Sequence, residues 1–357
     1  MTGRDHVAKG AVVAAIAALA LTVGACGSND SPGSSTGGST TSDAGGKRLT
    51  VGYSSKGSDQ FQLVMQEQAI GQLEAAGLEA LEPTSSQGDP GQQITDVRNL
   101  VSAGANAILV APGDSAAIKP AVDFLNGKQI PVVALDSSPS TSRVAMVVRT
   151  DNVGAGAAGC ELIGRALGGR GTALALQGDY NSESGLDRGN GFLDCMREKF
   201  PDIAVIDRHM DWKTDRCAQL ANTELKAHDE IGAIYMASET ICMAPVLAAL
   251  KGAGRDAPQG EDGHVFTVGI DGSPFALKMV REGKLDADLS QPLDLYAKYG
   301  VDYLRRAADG ETFRAGPTDH DTTVVESGPN LVDLLPVTVV TKDNASSDTL
   351  WGNAVEQ

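Results

Sequence analysis

The sequence is poor in the side chains on which catalytic, metal-binding and nucleic-acid-binding proteins depend. It has five histidines and five cysteines in 357 residues, and these form no HExxH motif, no CxxC pair and no other spacing typical of zinc. The net charge is −17, and no basic run or patch is present, which argues against nucleic-acid binding. No nucleophile stands beside a base. The sequence therefore predicts a protein that is not an enzyme and that carries no metal or other cofactor.

The hydrophobic run near the N-terminus is too short to cross a bilayer. It extends from Ala11 to Val23 behind two basic residues, whereas a membrane-spanning helix needs about 20 residues. This pattern is typical of a secretory signal peptide, which we place at residues 1–25. The run ends in Val23–Cys26 (VGAC), which resembles a bacterial lipobox and predicts a lipid on Cys26. The alternative is an ordinary signal peptide with an incidental cysteine.

The segment after the lipobox has the composition of a linker. Residues 26–48 are rich in Gly, Ser, Thr and Asp and contain no large apolar side chain, so we expect a flexible tether. A lipid anchor followed by a tether would place the folded part outside the cytoplasm, attached to the cell membrane. Four cysteines remain beyond Cys26, and in an exported protein this number suggests two disulfide bonds.

Strand and helix patterns alternate along the rest of the chain, and the alternation starts again after residue 150. Short apolar runs separated by helices of about 10–15 residues predict an α/β fold with parallel, doubly wound sheets. Two such series predict two lobes. We assign residues 49–150 with 292–330 to the first lobe and residues 151–291 with 331–345 to the second, and we expect 346–357 to be a loose tail.

The four remaining cysteines fall on predicted helices of the second lobe. Cys160 and Cys195 lie on its first two helices, and Cys217 and Cys242 lie early in the next two. Right-handed crossovers place successive helix pairs on opposite faces of a parallel sheet. Among the three possible pairings we therefore expect Cys160–Cys195 and Cys217–Cys242.

The stretch Val265–Gln291 contains a strand, a turn, a short helix and a second strand. Its apolar start, Val265–Ile270, predicts a buried strand, and Asp271 follows at the carboxyl end of that strand. Open α/β sheets bind ligands at the carboxyl ends of their strands, so Asp271 is a candidate ligand-binding residue. Its alternative role is to cap the following helix.

Six segments spread over the folded part resemble, in order, the bacterial sugar-binding proteins of the type I periplasmic-binding fold, in the ribose-binding-protein branch. They are Ala107–Asp114, Ile130–Asp136, Thr150–Asn152, Asp187–Phe192, Val268–Pro274, and Glu282–Leu289 followed by Gln291. With the lipobox, this resemblance implies the solute-binding lipoprotein of an ABC importer. Such a protein captures a sugar or sugar alcohol between two lobes and delivers it to permease subunits.

The resemblance further implies three crossovers that act as a hinge between the lobes. Candidates lie near Thr150, near Gln291 and over Ser327–Leu331. We expect a monomer whose partners are a small sugar or polyol, the permease and the membrane lipid, with no nucleic acid. A sugar or signal receptor feeding a sensor kinase or chemoreceptor would show the same sequence, and it remains the alternative.

The family's ligand-binding positions fall on Asp136, Arg188, Asp271 and Gln291, and an aromatic position that stacks on sugar rings falls on Trp212. Carboxylates accept strong, charge-assisted bonds from hydroxyl groups. The guanidinium of Arg188 offers a planar fork of donors, and Gln291 can both donate and accept. For Trp212 the alternative is packing in the core.

Other positions depart from the family's pattern. In the first loop Phe61 keeps an aromatic, whereas Ser58 replaces an asparagine and Gln60 replaces a second aromatic. Elsewhere Ser137 replaces an arginine and Ser238 replaces an asparagine, and the acidic Glu239 is adjacent to Ser238. All six are candidate ligand-binding positions. Fewer stacking aromatics favour a linear polyol or a small modified sugar. Lys56, in the same loop, has two interpretations, as a contact for an acidic sugar or as a solvated side chain.

Overall fold

Two β-sheets covered by helices form the two lobes of the computed structural model, which describes residues 49–355. The first lobe begins with β1 (Thr50–Ser55), α1 (Gln60–Ala75), β2 (Glu79–Ala80), β3 (Thr84–Ser85), α2 (Pro90–Ser102), β4 (Ala107–Val110), α3 (Lys119–Gly127), β5 (Val132–Leu135) and β6 (Met146–Thr150). The second lobe follows with α4 (Asn152–Ala166), β7 (Arg170–Gln177), α5 (Glu183–Lys199), β8 (Asp202–His209), α6 (Thr214–Ala227), β9 (Ile231–Met236), α7 (Glu239–Gly252), β10 (Phe266–Asp271), α8 (Pro274–Glu282) and β11 (Ala287–Ser290). The chain ends with α9 (Leu293–Ala308), β12 (Gly316–Pro317), β13 (Thr323–Ser327), β14 (Asn330–Leu335), β15 (Thr338–Val340) and α10 (Trp351–Ala354).

Both sheets are mostly parallel. The first has the strand order β12-β13-β14-β6-β5-β4-β1-β2, with β3 also paired to β1, and the second has the order β15-β11-β10-β9-β7-β8. Antiparallel pairing is confined to one side of each sheet, at β12-β13-β14 and at β15-β11. The predicted α/β class with two doubly wound lobes is confirmed.

The buried strands explain why the helices cover both faces of a sheet. Every residue of β4 (AILV) and β5 (VVAL) is buried, and successive side chains of a strand point to opposite faces. Leu109 and Val133 enter one apolar cluster of the first lobe, whereas Ile108 and Val132 enter another. Each face therefore needs its own layer of helices to exclude water.

The third crossover between the lobes differs from the prediction. The chain crosses after β6, after β11 and again after β14. We placed residues 331–345 in the second lobe, but β14 pairs in parallel with β6, with Val332 opposite Val147. Residues 331–335 therefore belong to the first lobe, and the crossing lies at Pro336 and Val337. The apolar stretch Leu331–Thr341 contains two strands that belong to different sheets.

The prediction of a loose tail is wrong for residues 346–355. The side chains of Leu350 and Trp351 are each 3% exposed, and they pack into the cores of the second and the first lobe, respectively. The Asn353 side-chain amide also donates to the carbonyl groups of Ala345 and Ser347. The prediction rested on the polar composition of the segment. Its two large apolar side chains, Leu350 and Trp351, are nevertheless buried against residues that are distant in the sequence.

The N-terminal predictions concern residues outside the described part of the chain. The signal peptide (residues 1–25), the lipidation of Cys26 and the tether (residues 26–48) all precede residue 49, where the description begins. Among the described residues, no helix combines the length and the apolar character needed to cross a membrane.

The predicted disulfide pairing is confirmed. Cys160 on α4 is bonded to Cys195 on α5, with 6.2 Å between their Cα atoms. Cys217 on α6 is bonded to Cys242 on α7, with a Cα separation of 5.7 Å. Each bond ties two consecutive helices of the second lobe together.

Removing the second disulfide should lower the stability of the protein. The bond closes a sequence separation of 25 residues, and we expect the double variant Cys217→Ala/Cys242→Ala to lose about 2–4 kcal/mol in free energy of unfolding. Urea denaturation measures the loss, and the variant Cys160→Ala/Cys195→Ala provides the matched comparison in the same lobe. An unchanged denaturation curve, or peptide mapping that finds four free thiols in the wild type, would contradict this account.

Candidate functional site

A cleft of about 520 Å³ lies between the two lobes, where strands of both sheets reach their carboxyl ends. The structure brings together eight of the eleven predicted ligand-binding residues along its walls. They are Ser58, Phe61, Asp136, Arg188, Trp212, Ser238, Asp271 and Gln291. This edge of the sheets is where open α/β folds hold their ligands.

Three predicted residues do not line the cleft, which corrects the sequence-based assignment. Gln60 is exposed at the start of α1. Ser137 is fully buried, and its hydroxyl oxygen lies 3.4 Å from that of Ser115. The carboxylate of Glu239 instead accepts bonds from the backbone N–H and the hydroxyl of Ser273, at 2.7 and 2.9 Å. Asp136 and Ser238 line the cleft, whereas the residue that follows each of them, Ser137 or Glu239, does not.

In the first lobe, Asp136 forms a buried ion pair with Lys56. The Lys56 ammonium lies 2.5 Å from the Asp136 carboxylate, and the amide of Gln62 donates to the same oxygen at 3.2 Å. Burial by itself would raise the pKa of the Asp136 carboxyl, but the Lys56 and Arg188 charges outweigh it and hold the pKa below its usual value. Asp136 is therefore ionised at neutral pH. Lys56 is only 16% exposed, so it is not the solvated side chain of our alternative interpretation.

In the second lobe, Asp271 is surrounded by donors. The hydroxyl groups of Ser238 and Thr240 each donate to one carboxylate oxygen at 2.6 Å. The other oxygen accepts from the Gln291 amide at 2.8 Å and faces an Arg188 nitrogen at 3.4 Å. Burial raises the pKa of Asp271, and the Arg188 charge together with these bonds opposes the rise.

Arg188 is held by the backbone and by a side chain of the second lobe. Its Nε donates to the Asn152 side chain and one terminal nitrogen donates to the Ala237 carbonyl, both at 2.7 Å. Its second terminal nitrogen bonds to none of the described residues. The planar fork is therefore fixed in orientation, with a donor left for a ligand in the cleft.

Ser273, rather than Asp271, caps helix α8. The Ser273 hydroxyl accepts from the Ala276 backbone N–H, Pro274 occupies the first turn, and Gly283 ends the helix with φ near +70°. Asp271 is thereby free to face the cleft. Its φ is +148° and that of Asp136 is +67°, so both cleft carboxylates occupy backbone conformations that are rare for residues other than glycine. Such conformations tend to occur at functional sites.

Gln291 is oriented by the hinge. Its side-chain oxygen accepts from the Tyr296 hydroxyl at 3.0 Å, and the Tyr296 oxygen in turn accepts from the Thr150 backbone N–H at 2.7 Å. Thr150 and Gln291 lie at the first two crossovers. The amide of Gln291 therefore points its nitrogen at Asp271, and the hinge and the cleft share one hydrogen-bonded chain.

Within the described residues, Phe61 and Trp212 are the aromatic side chains on the cleft wall. The Trp212 indole N–H donates to the Ser182 hydroxyl at 2.9 Å, and the Arg188 guanidinium lies 5.8 Å from the centre of the Trp212 ring. Trp212 also packs against the core of the second lobe, so both interpretations given for it describe part of its environment.

The two lobes contact each other at one edge of the cleft. Arg149 on β6 bonds to Asp187 on α5 at 2.6 Å, and the Ser115 hydroxyl accepts from the Glu183 backbone N–H at 3.0 Å. The Ser115 backbone N–H donates to the Asn181 carbonyl. Sequence reasoning missed these contacts, because nothing in the local pattern pairs residues of different lobes.

Comparison with known proteins identifies the family. Residues 51–312 match the model of the periplasmic binding protein domain. The chain belongs to this family. It is 27% identical to the ribose import binding protein of Bacillus subtilis over 61% of the chain and 68% of that protein. It is 28% identical to the xylitol-binding protein of Mycolicibacterium smegmatis over 65% of each.

A solved structure agrees on the fold. The solute-binding protein of an ABC transporter from Mycobacterium smegmatis, crystallised with glycerol, superimposes with a TM-score of 0.72 at 21% identity, over 84% of this chain and 96% of that one. Membership of the periplasmic binding protein family implies a location outside the cytoplasm. The curated relatives named above are sugar- or polyol-binding proteins and not enzymes, in agreement with the expectation from the sequence.

Proposed function

We propose that this periplasmic binding protein is the solute receptor of an ABC importer and captures a small polyhydroxylated ligand in the cleft. The observation that carries the proposal is the pair of buried carboxylates, Asp136 and Asp271, one from each lobe. Carboxylates accept strong, charge-assisted hydrogen bonds from hydroxyl groups. A ligand bound to both would hold the lobes together.

The groups already bonded to Asp271 support hydroxyl recognition. The Ser238 and Thr240 hydroxyls approach one carboxylate oxygen at 2.6 Å, and they can rotate to offer their own oxygens to a ligand. Arg188 and Lys56 supply donors to the oxygen atoms of the same ligand. The site thus contains both acceptors and donors for the hydroxyl groups of a ligand.

For the ligand class we propose a linear polyol or a small modified sugar. Two aromatic rings line the cleft within the described residues, whereas family members that bind ring sugars use several to stack on the ring. The small residues Ser58 and Ser238 line the cleft at positions where the resemblance leads us to expect asparagine. The relatives named for xylitol and crystallised with glycerol are in line with this choice.

We also propose that the protein is attached to the cell membrane through a lipid on Cys26, with the segment 26–48 as a tether, and that it delivers its ligand as a monomer to permease subunits. The support is the sequence Val23–Cys26 at the end of the hydrophobic run. Metabolic labelling with a palmitate analogue, compared between the wild type and Cys26→Ala, tests the attachment.

A thermal-shift panel tests the ligand class. The chain from Lys47 onward would be heated with xylitol, ribitol, glycerol, myo-inositol, D-ribose and D-allose. A ligand present at 100 times its dissociation constant adds about 2.7 kcal/mol to the free energy of unfolding, which gives a clear rise in midpoint. The double variant Asp136→Asn/Asp271→Asn is the control and should lose the response.

We expect linear polyols to give the largest rise. A response confined to D-ribose or D-allose would keep the receptor function and overturn the ligand class. A panel without any response would contradict the proposal that this cleft captures a sugar or polyol.

A further inference from the structure

The C-terminal segment (residues 345–355) packs against two residues that line the cleft. Trp351, 3% exposed, donates its indole N–H to the backbone carbonyl oxygen of Asp271 at 2.8 Å. Its ring meets the ring of Phe61 edge-on, with centroids 6.3 Å apart and an interplanar angle of 85°. Asp271 belongs to the second lobe and Phe61 to the first, so one side chain contacts a cleft residue of each lobe.

Tight packing fixes this segment on the second lobe. A Cβ atom added to Gly352 would lie 2.3 Å from the carbonyl oxygen of Gly272 and 2.7 Å from the carbonyl carbon of Ser273, so no side chain fits there. Arg281 on α8 donates to the Ala345 carbonyl at 2.8 Å and to the Asn353 side chain at 3.1 Å. The segment therefore docks at the turn that follows Asp271, where close packing and hydrogen bonds fix its position.

The backbone of Asp271 requires such support. Its φ of +148° is rarely adopted by residues other than glycine, and strained backbone persists where its surroundings over-determine it. Besides the indole N–H of Trp351, the Asp271 carbonyl oxygen accepts the Gln291 backbone N–H at 3.0 Å. The two donors hold this peptide group from the C-terminal segment and from the hinge.

We propose that Trp351 is a positioning residue of the cleft: it fixes the Asp271 backbone and the Phe61 ring and so sets the place of one ligand contact from each lobe. It does not line the cleft and acts through these two residues. The inference rests on the proposed function because its effect on affinity requires a ligand in the cleft. It goes beyond that function by assigning a role in recognition to a segment outside both sheets.

The first test compares Trp351→Phe with the wild type by calorimetric titration with xylitol and with D-ribose, using the chain from Lys47 onward. Phenylalanine keeps an aromatic ring and removes the N–H donor. We expect the dissociation constant of whichever probe binds to rise about fivefold or more, with the unfolding midpoint of the free protein near that of the wild type. The control Ile203→Ala on β8, which loses packing in the second-lobe core outside the C-terminal segment, should lower the unfolding midpoint and leave the dissociation constant unchanged. An unchanged dissociation constant in Trp351→Phe would overturn the proposal.

A second test needs no ligand and separates failure of this inference from failure of the proposed function. The chain has two tryptophans, so Trp212→Phe assigns the indole N–H resonance of Trp351 in a ¹⁵N spectrum. We expect that N–H to exchange slowly with solvent, and we expect Trp351→Phe to shift the resonances of Asp271 and of the Gln291 side-chain amide. If neither probe binds the wild type, this experiment decides on the role of Trp351, whereas the thermal-shift panel decides on the ligand class. Rapid indole exchange and unshifted Asp271 and Gln291 resonances would overturn the inference.

Discussion

Replacing Asp271 with alanine should weaken ligand binding by about 100- to 10,000-fold, since a hydrogen bond to a charged group contributes about 1.5–3 kcal/mol, a ligand would lose two of them, and about 1.4 kcal/mol is a factor of ten. The substitution also removes the acceptor for the Ser238 and Thr240 hydroxyls and the nearest negative charge to Arg188. Those donors would then turn to each other or to water, away from the ligand. Asp271→Asn, which keeps the shape but removes the charge, should lose less affinity than Asp271→Ala.

Isothermal titration with the best ligand of the panel measures this effect. Asp229→Ala is the matched control, because Asp229 is an exposed aspartate of the same lobe that precedes β9 at the opposite end of the sheet. It should bind like the wild type. Near-ultraviolet circular dichroism of each variant checks that the fold is intact. Wild-type affinity in a folded Asp271→Ala variant would remove Asp271 from the site.

The second large effect concerns stability and pH. Glu239 and Asp288 are buried beside each other and near Asp271 in the second lobe. Burial, then repulsion from Asp271, raises the pKa of Glu239 to about 8. Burial, then repulsion from Glu239 and Asp271, raises the pKa of Asp288 well above its usual value. Neither oxygen of the Asp288 carboxyl has a side-chain hydrogen-bond partner among the described residues.

The direction of the pH dependence follows from these raised values. The folded protein binds protons at Glu239 and Asp288 that the unfolded chain releases above its ordinary carboxyl pKa, near 4. Their stabilising contribution is therefore full below about pH 4 and is lost as the pH rises through the folded pKa, which for Glu239 is about 8. Between pH 5 and 9 we expect the free energy of unfolding to fall by about 4 kcal/mol from Glu239 alone, since each of the three pH units from 5 to its folded pKa costs about 1.4 kcal/mol. Asp136 has a lowered pKa, so it contributes stability that is lost as the pH falls. This loss occurs below pH 5 and does not affect the comparison between pH 5 and 9.

Urea denaturation at pH 5, 7 and 9 measures the dependence. Glu239→Gln should be more stable than the wild type at pH 9 and should show a flatter profile, because its amide oxygen still accepts from the Ser273 backbone N–H without an ionisable group. Glu261→Gln, at an exposed position, is the control and should follow the wild type. A wild-type protein that is as stable at pH 9 as at pH 5 would contradict the account.

The features that followed from the sequence are those encoded locally. An apolar run ended by a polar residue places Asp136 and Asp271 at the carboxyl ends of strands. Helix order predicted both disulfides, since consecutive helices on one face of a sheet bring Cys160 to Cys195 and Cys217 to Cys242. These inferences require only the periodicity of the chain and the handedness of its crossovers.

Long-range contacts and the orientation of single side chains could not be predicted from the sequence. The pairing of Lys56 with Asp136 joins positions 80 apart in the chain, and no local pattern chooses between it and solvent. Ser238 faces the cleft whereas adjacent Glu239 turns to Ser273, a difference of one residue that depends on where a strand ends. Trp351 lies in a polar segment, and its burial depends on contacts with residues of both lobes that are distant in the sequence.

The most direct test of the central claim is a crystal structure of the chain from Lys47 onward with the linear polyol that stabilises it best. The account predicts that the polyol lies between the lobes, with its hydroxyl groups within hydrogen-bond distance of the carboxylates of both Asp136 and Asp271 and with Arg188 donating to one of its oxygens. A polyol bound outside the cleft, or bound inside it without contact to either carboxylate, would contradict the account.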